Sequence, residues 1–155
     1  MFLHLELQRV GNEMAYDSPE YDEIITPMRE ELTSVGFKEL HTQQEVDQAL
    51  AQAKGKTVFV VNSICGCAAR IARPAVKEAL EQFGPVDNLF TVFAGRDIEA
   101  TEKARAYFTG YRPSSPSIAL FNDGNFKHLV ERHQIERHTV PDVTATLVHA
   151  MEQAF

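Results

Sequence analysis

The chain has 155 residues, 44% of them hydrophobic and 24% charged, with a formal net charge of −7. That length suits one domain with a single sizeable core, and the ordinary composition excludes a disordered or fibrous chain. The acidic balance and scattered basic residues exclude nucleic acid as a partner, and no apolar run approaches the ~18 residues needed to cross a membrane.

The opening Met1-Phe2-Leu3-His4-Leu5-Glu6-Leu7 has no basic start and too short an apolar stretch for a signal peptide, so a cytoplasmic protein is expected. Met14-Ala15-Tyr16 reads as a second start. Residues 1–13 are therefore expected to form a disordered N-terminal extension before a single domain over 14–155, an ordered first strand being the alternative. Ser18 signals a helix carrying Tyr21, Ile24, Ile25, Met28 and Leu32 at helical spacing and ending near Gly36. A short strand at Lys38–His41 and a helix over Gln44–Ala53 follow. Thr57-Val58-Phe59-Val60-Val61 is a β-branched and aromatic run, the mark of a strand buried on both faces. A helix from about Cys67 to Phe83 comes next, with Pro74 expected to kink it.

Leu89–Phe93 reads as a second buried strand, and Glu99–Phe108 as a helix closed by Gly110. Ser117–Phe121 is a strand, Asn122-Asp123-Gly124-Asn125 a hairpin turn and Phe126–Val130 the return strand, before a last helix over Pro141–Phe155. Alternating elements imply parallel β-α-β units, and the closing hairpin makes the sheet mixed.

Two cysteines are too few for a disulfide scaffold, and in a reducing compartment a close pair reads as reactive or metal-binding. Cys65 lies between a buried strand and the mouth of a helix, where unpaired N–H groups favour a thiolate. Asn62 and Ser63 supply capping chemistry there, and Arg70 and Arg73 add positive charge if they face back. Cys65, taken as the more exposed, is assigned as attacking thiol and Cys67 as resolving thiol. Residues two apart meet the Cα separation of a disulfide only in a narrow backbone range, which Gly66 is free to adopt. So small a ring is expected to cycle and not to serve as a staple. Two other readings stand beside this one. The cysteines are incidental small hydrophobes, or they are two ligands of a zinc site that His128, His133 or His138 would have to complete. No metal is expected, since nothing in the spacing brings two histidines to the turn.

Gly95-Arg96-Asp97 reads as a solvated loop near the site, and no acid lies on Val58–Val61 to relay a proton. Ser114-Ser115-Pro116-Ser117 precedes a strand where a thioredoxin-like fold places a cis-proline. A cis Pro116 would turn the Ser115 backbone toward Cys65, ready to pair with an incoming peptide; an ordinary trans proline is the alternative.

Val61-Asn62-Ser63-Ile64-Cys65-Gly66-Cys67-Ala68-Ala69, with Ala72-Arg73-Pro74-Ala75, resembles the bacilliredoxin family. Thr91-Val92-Phe93-Ala94-Gly95, Tyr107-Phe108-Thr109-Gly110, Pro113-Ser114-Ser115-Pro116-Ser117 and Glu131-Arg132-His133 fit as well, and the likeness covers residues 14–155. The resemblance implies a thioredoxin-like α/β fold of three layers, a central mixed sheet flanked by helices, with an extra N-terminal helix. It implies thiol–disulfide exchange that removes bacillithiol from S-bacillithiolated cytosolic proteins, Cys65 matching the cysteine that attacks. Bacillithiol is then an exchanged small thiol, no bound cofactor is needed, and neither nucleic acid nor membrane is a partner. Weak disulfide isomerase activity also follows from the likeness. Members of the family end in a further cysteine, whereas this sequence ends Ala154-Phe155, so no third thiol is expected to act. The alternatives are a general protein disulfide isomerase or reductase, or a non-catalytic metal- or partner-binding module.

Overall fold

The computed structural model describes residues 9, 10 and 13–155. The expected disordered extension thus falls largely outside the described residues; within it, Arg9–Val10 (β1) pairs antiparallel with Glu13–Met14 (β2). Ser18 accepts the N–H of Glu20 on its hydroxyl and opens a 3-10 turn, Pro19–Tyr21, that leads into α1, Asp22–Thr33. After β3, Lys38–Glu39, the Thr42 hydroxyl caps α2, Gln43–Gln52, by accepting the Glu45 N–H at 3.1 Å.

β4, Lys56–Asn62, is the central strand, and all its residues from Thr57 onward are buried, as its apolar run requires. A helix then starts at Gly66 and widens into a π-type turn over Ala68–Ala72 before continuing as α3, Arg73–Phe83. The Arg73 N–H reaches back five residues to the Ala68 carbonyl. That wide turn restarts the ladder just ahead of Pro74, so the proline enters near the first turn of α3, where its missing N–H is tolerated. The kink expected at Pro74 takes this form. β5, Asn88–Phe93, and α4, Ile98–Tyr107, follow. β6, Ser117–Asn122, turns through Asp123 and Gly124 into β7, Asn125–Val130. Both turn residues have positive φ, 53° and 78°, the conformation of a tight hairpin. A short helix, α5, Arg132–Ile135, precedes α6, Val140–Ala154, which is capped by Thr139.

The main sheet has the order β3-β5-β4-β6-β7. β3, β5 and β4 run parallel, while β6 and β7 are antiparallel to their neighbours. Alternation along β4 sends Val58 and Val60 to one face, with residues of α1, α3 and α6. Phe59 and Val61 face the other way, among residues of α2 and α4. The result is three layers around a mixed sheet, with α1 preceding the alternating units. Among the described residues no helix is long and apolar enough to cross a membrane. The C-terminal end of β4 delivers the chain to the cysteines.

Candidate active site

At the end of β4 the chain must leave the sheet and enter a helix within a few residues. Asn62 and Ser63 manage that turn. The Asn62 amide donates to the Met28 carbonyl at 3.2 Å, and its side-chain oxygen accepts the Ser63 N–H at 2.9 Å. The Ser63 hydroxyl in turn accepts the Cys65 N–H at 3.2 Å. Arg73, only 2% exposed, locks the turn from beneath by donating to the Asn62 side-chain oxygen at 2.9 Å and the Ser63 carbonyl at 3.0 Å. Its Nε pairs with Glu31. Cys65 therefore stands as the N-cap of the helix, with the N–H of Ala68 within reach of its sulfur.

Burial raises the pKa of the Cys65 thiol. Hydrogen bonds from the Cys67 thiol, the Ala68 N–H and the Ser63 hydroxyl, with the positive charge of Arg132, outweigh that cost and hold Cys65 below the ordinary cysteine value. Cys67 goes the other way. Burial, the hydrogen bond it gives Cys65 and the nearby thiolate push it up to about 11. The pair is thus divided into one thiolate and one thiol that donates to it, both half-buried and neither in a disulfide. Thiolate ultraviolet absorbance against pH should rise in two separate steps, the first below the ordinary cysteine range and the second near 11. In Cys65→Ser the Cys67 step should move down, since two of the causes that raise it belong to Cys65. A Cys67 step unmoved by that change would refute the coupling.

Cys65 opens onto a groove of about 330 Å³ walled by Met14, Tyr16, Ile64, Pro113, Ser115 and Arg132 among others. Ser115-Pro116 is a cis peptide bond, with both residues buried directly before β6. The Ser115 carbonyl does not stand open to a peptide, as the sequence suggested. It accepts a hydrogen bond from Arg132 Nη1 at 3.1 Å, which ties α5 to the proline loop. The opposite wall comes from the segment before α1. Tyr16 donates its N–H to the Gly95 carbonyl, and Arg96 reaches back to the carbonyls of Tyr16 and Ser18 and to the Asp22 carboxylate. Gly95 has φ +79°, and a Cβ there would fall 2.3 Å from the Met14 carbonyl, so only glycine permits this approach.

Three expectations need correction. Arg73 does not face the sulfurs but lies in the core, and Arg70 is exposed; the charge near the cysteines comes from Arg132, which the sequence offered only as part of a motif. Gly66 shows no special backbone: it is helical with ordinary φ, and a Cβ there would meet open space, because the dithiol state closes no ring. Asp97 is not in a solvated loop. It is 7% exposed and accepts two hydrogen bonds from Arg29, at 2.8 and 2.9 Å, and one from the Phe93 N–H. His133, on α5, is exposed and pairs with Glu131. Among the described residues, no group of three or more histidine, cysteine or acidic side chains is placed to hold a metal ion.

Thioredoxin O1 of Arabidopsis thaliana in its oxidised state superposes with a TM-score of 0.54, at 19% identity, over 77% of this chain and 98% of that one. Oxidised thioredoxin of Plasmodium falciparum gives 0.52 at 18% identity, over 77% of this chain and all of the other. The fold is the thioredoxin fold. A family model described as "Disulphide isomerase" matches residues 21–154. With its two thiols at a helix mouth, the protein is a thiol–disulfide oxidoreductase. A bacilliredoxin of Geobacillus kaustophilus is 47% identical over 132 residues, covering 84% of this chain and 91% of its own. One of Staphylococcus aureus is 51% identical over 120 residues, covering 77% and 82%. The chain belongs to the bacilliredoxin family.

Proposed function

We propose that this protein removes bacillithiol from S-bacillithiolated cytoplasmic proteins. The observation that carries this reading is the division of the Cys65–Cys67 pair into a thiolate at the groove and a protonated neighbour. The names of the relatives, all bacilliredoxins, support bacillithiol as the exchanged thiol. The Cys65 thiolate attacks the bacillithiol sulfur of the mixed disulfide. A Cys65–bacillithiol bond forms, the old S–S bond breaks, and the protein cysteine leaves as thiolate. Capture removes the Cys65 charge that held Cys67 protonated, so Cys67 ionises more readily once the adduct exists. It then attacks Cys65, expelling bacillithiol as thiolate and closing a Cys65–Cys67 disulfide.

The test is intact mass after mixing reduced protein with a bacillithiolated substrate. Cys67→Ser should gain one bacillithiol as the substrate loses it, and Cys65→Ser should gain none. A second reading, general disulfide isomerisation, is favoured by the description of the family model. That reading expects recovery of a scrambled multi-disulfide protein, with no capture of the small thiol.

A further inference from the structure

Arg132 enters the site from α5, far from the cysteines in sequence, yet its guanidinium acts on both sulfurs and lines the groove that Cys65 faces. Among the described residues it is the one charged side chain on that wall; the others are apolar, tyrosine or serine. Two of its nitrogens are engaged, Nη1 with the Ser115 carbonyl and Nε with Glu136 at 3.1 Å, while Nη2 has no protein partner among the described residues. The Glu136 pair is an i,i+4 contact with both side chains more than 40% exposed. Such pairs contribute only ~0.3–0.5 kcal/mol, so an arriving carboxylate can displace Glu136. The Ser115 bond meanwhile keeps the fork aimed along the groove, and a guanidinium fork matches a planar carboxylate at two points. A chain of net charge −7 repels anions in general. A local cation beside the nucleophile therefore has selective value.

We propose that Arg132 is the anion receptor of this groove, taking a carboxylate on the small thiol of the incoming mixed disulfide and so setting which adducts are transferred to Cys65. This rests on the exchange reading above and adds to it the class of thiol accepted: one that carries carboxylate, in preference to a neutral or cationic thiol. Arg132 also stabilises the Cys65 thiolate, and that effect touches every substrate alike. Selectivity between two adducts therefore isolates recognition from activation.

The experiment uses Cys67→Ser protein, which keeps the adduct, and a neutral peptide with one cysteine carried as a mixed disulfide with either mercaptosuccinate or mercaptoethanol. Capture rates are read by intact mass, and the anionic-to-neutral ratio is compared between variants. Adding Arg132→Gln should lower that ratio about tenfold, the scale of a lost charge-assisted hydrogen bond. Arg132→Lys should keep part of the ratio, and Glu136→Gln, which frees Nε without disturbing the Ser115 contact, should raise it. A ratio unchanged in Arg132→Gln overturns the proposal. Should that variant not fold, a ratio unchanged in Glu136→Gln overturns it instead. Capture of neither adduct by the Cys67→Ser protein would instead overturn the exchange reading.

Discussion

Cys65→Ser should lose transfer from a bacillithiolated protein by about a thousandfold or more, because a serine hydroxyl at the same helix mouth stays protonated and cannot replace the thiolate. Cys67→Ser should capture at a rate within a few-fold of wild type, since a serine hydroxyl can still donate to the Cys65 sulfur. Its defect belongs to the next step. In a single turnover without outside thiol, wild type should release the captured bacillithiol and finish as the internal disulfide. Cys67→Ser should remain the stable adduct until a small thiol is added. A wild-type protein that also stays as the adduct would remove Cys67 from the mechanism and leave its raised pKa as a means of tuning Cys65 alone. The reduced state asks nothing special of the backbone at Gly66, where a Cβ would meet open space. Any requirement for glycine must therefore arise in the closing step and not in capture.

The largest loss of stability should come from Asp97→Ala, about 3–4 kcal/mol in chemical denaturation. The carboxylate is 7% exposed, and Arg29, its principal partner, is 16% exposed, so removing one leaves the other charge nearly buried. Glu39, at 3.3 Å from Arg29, recovers part of the loss. The Phe93 N–H and the His41 ring would also lose their acceptor. Burial alone would raise the Asp97 pKa. The hydrogen bonds and charge of Arg29, with the contacts from His41 and the Phe93 N–H, overcome it and leave the pKa lowered. A lowered carboxyl pKa contributes stability fully above the unfolded value of ~3.9 and loses it as pH falls through the folded value. Asp97→Asn should therefore flatten the acid limb of the stability curve below about pH 4. An acid limb identical to wild type would show that Asp97 does not carry the linkage.

The strands were legible because burial on both faces of a central sheet demands an unbroken apolar run, and Thr57–Val61 has one. The hairpin was legible from Asp123-Gly124, whose positive φ angles few other pairs accept. The cysteines could be placed at a helix mouth because the run stops at Asn62 and capping residues follow. What escaped was non-local. Asp97 finds Arg29 across 68 positions, and no local pattern announces that partner. Arg132 meets the thiols only because β7 returns the chain beside the proline loop. α5, four residues long, is too short for periodicity to reveal, although Glu131 and Gln134 form a capping box at the spacing that marks a helix start. Arg73 was set on the wrong face because an i→i+5 turn inserts a residue and rotates everything after it; the clue was Pro74, read as a kink rather than as the cause of a wider turn.

The wall of the groove formed by Met14 and Tyr16 belongs to none of the helices or strands that build the main core. Hydrogen bonds to the loop after β5 hold it in place, and so does the close approach that Gly95 allows. Selection can therefore rewrite this short stretch as a cassette. New side chains at 14 and 16 would reshape what reaches the sulfur while leaving the sheet, the thiolate and their energetics as they are. Diversification of substrates in such a protein need not trade against its stability.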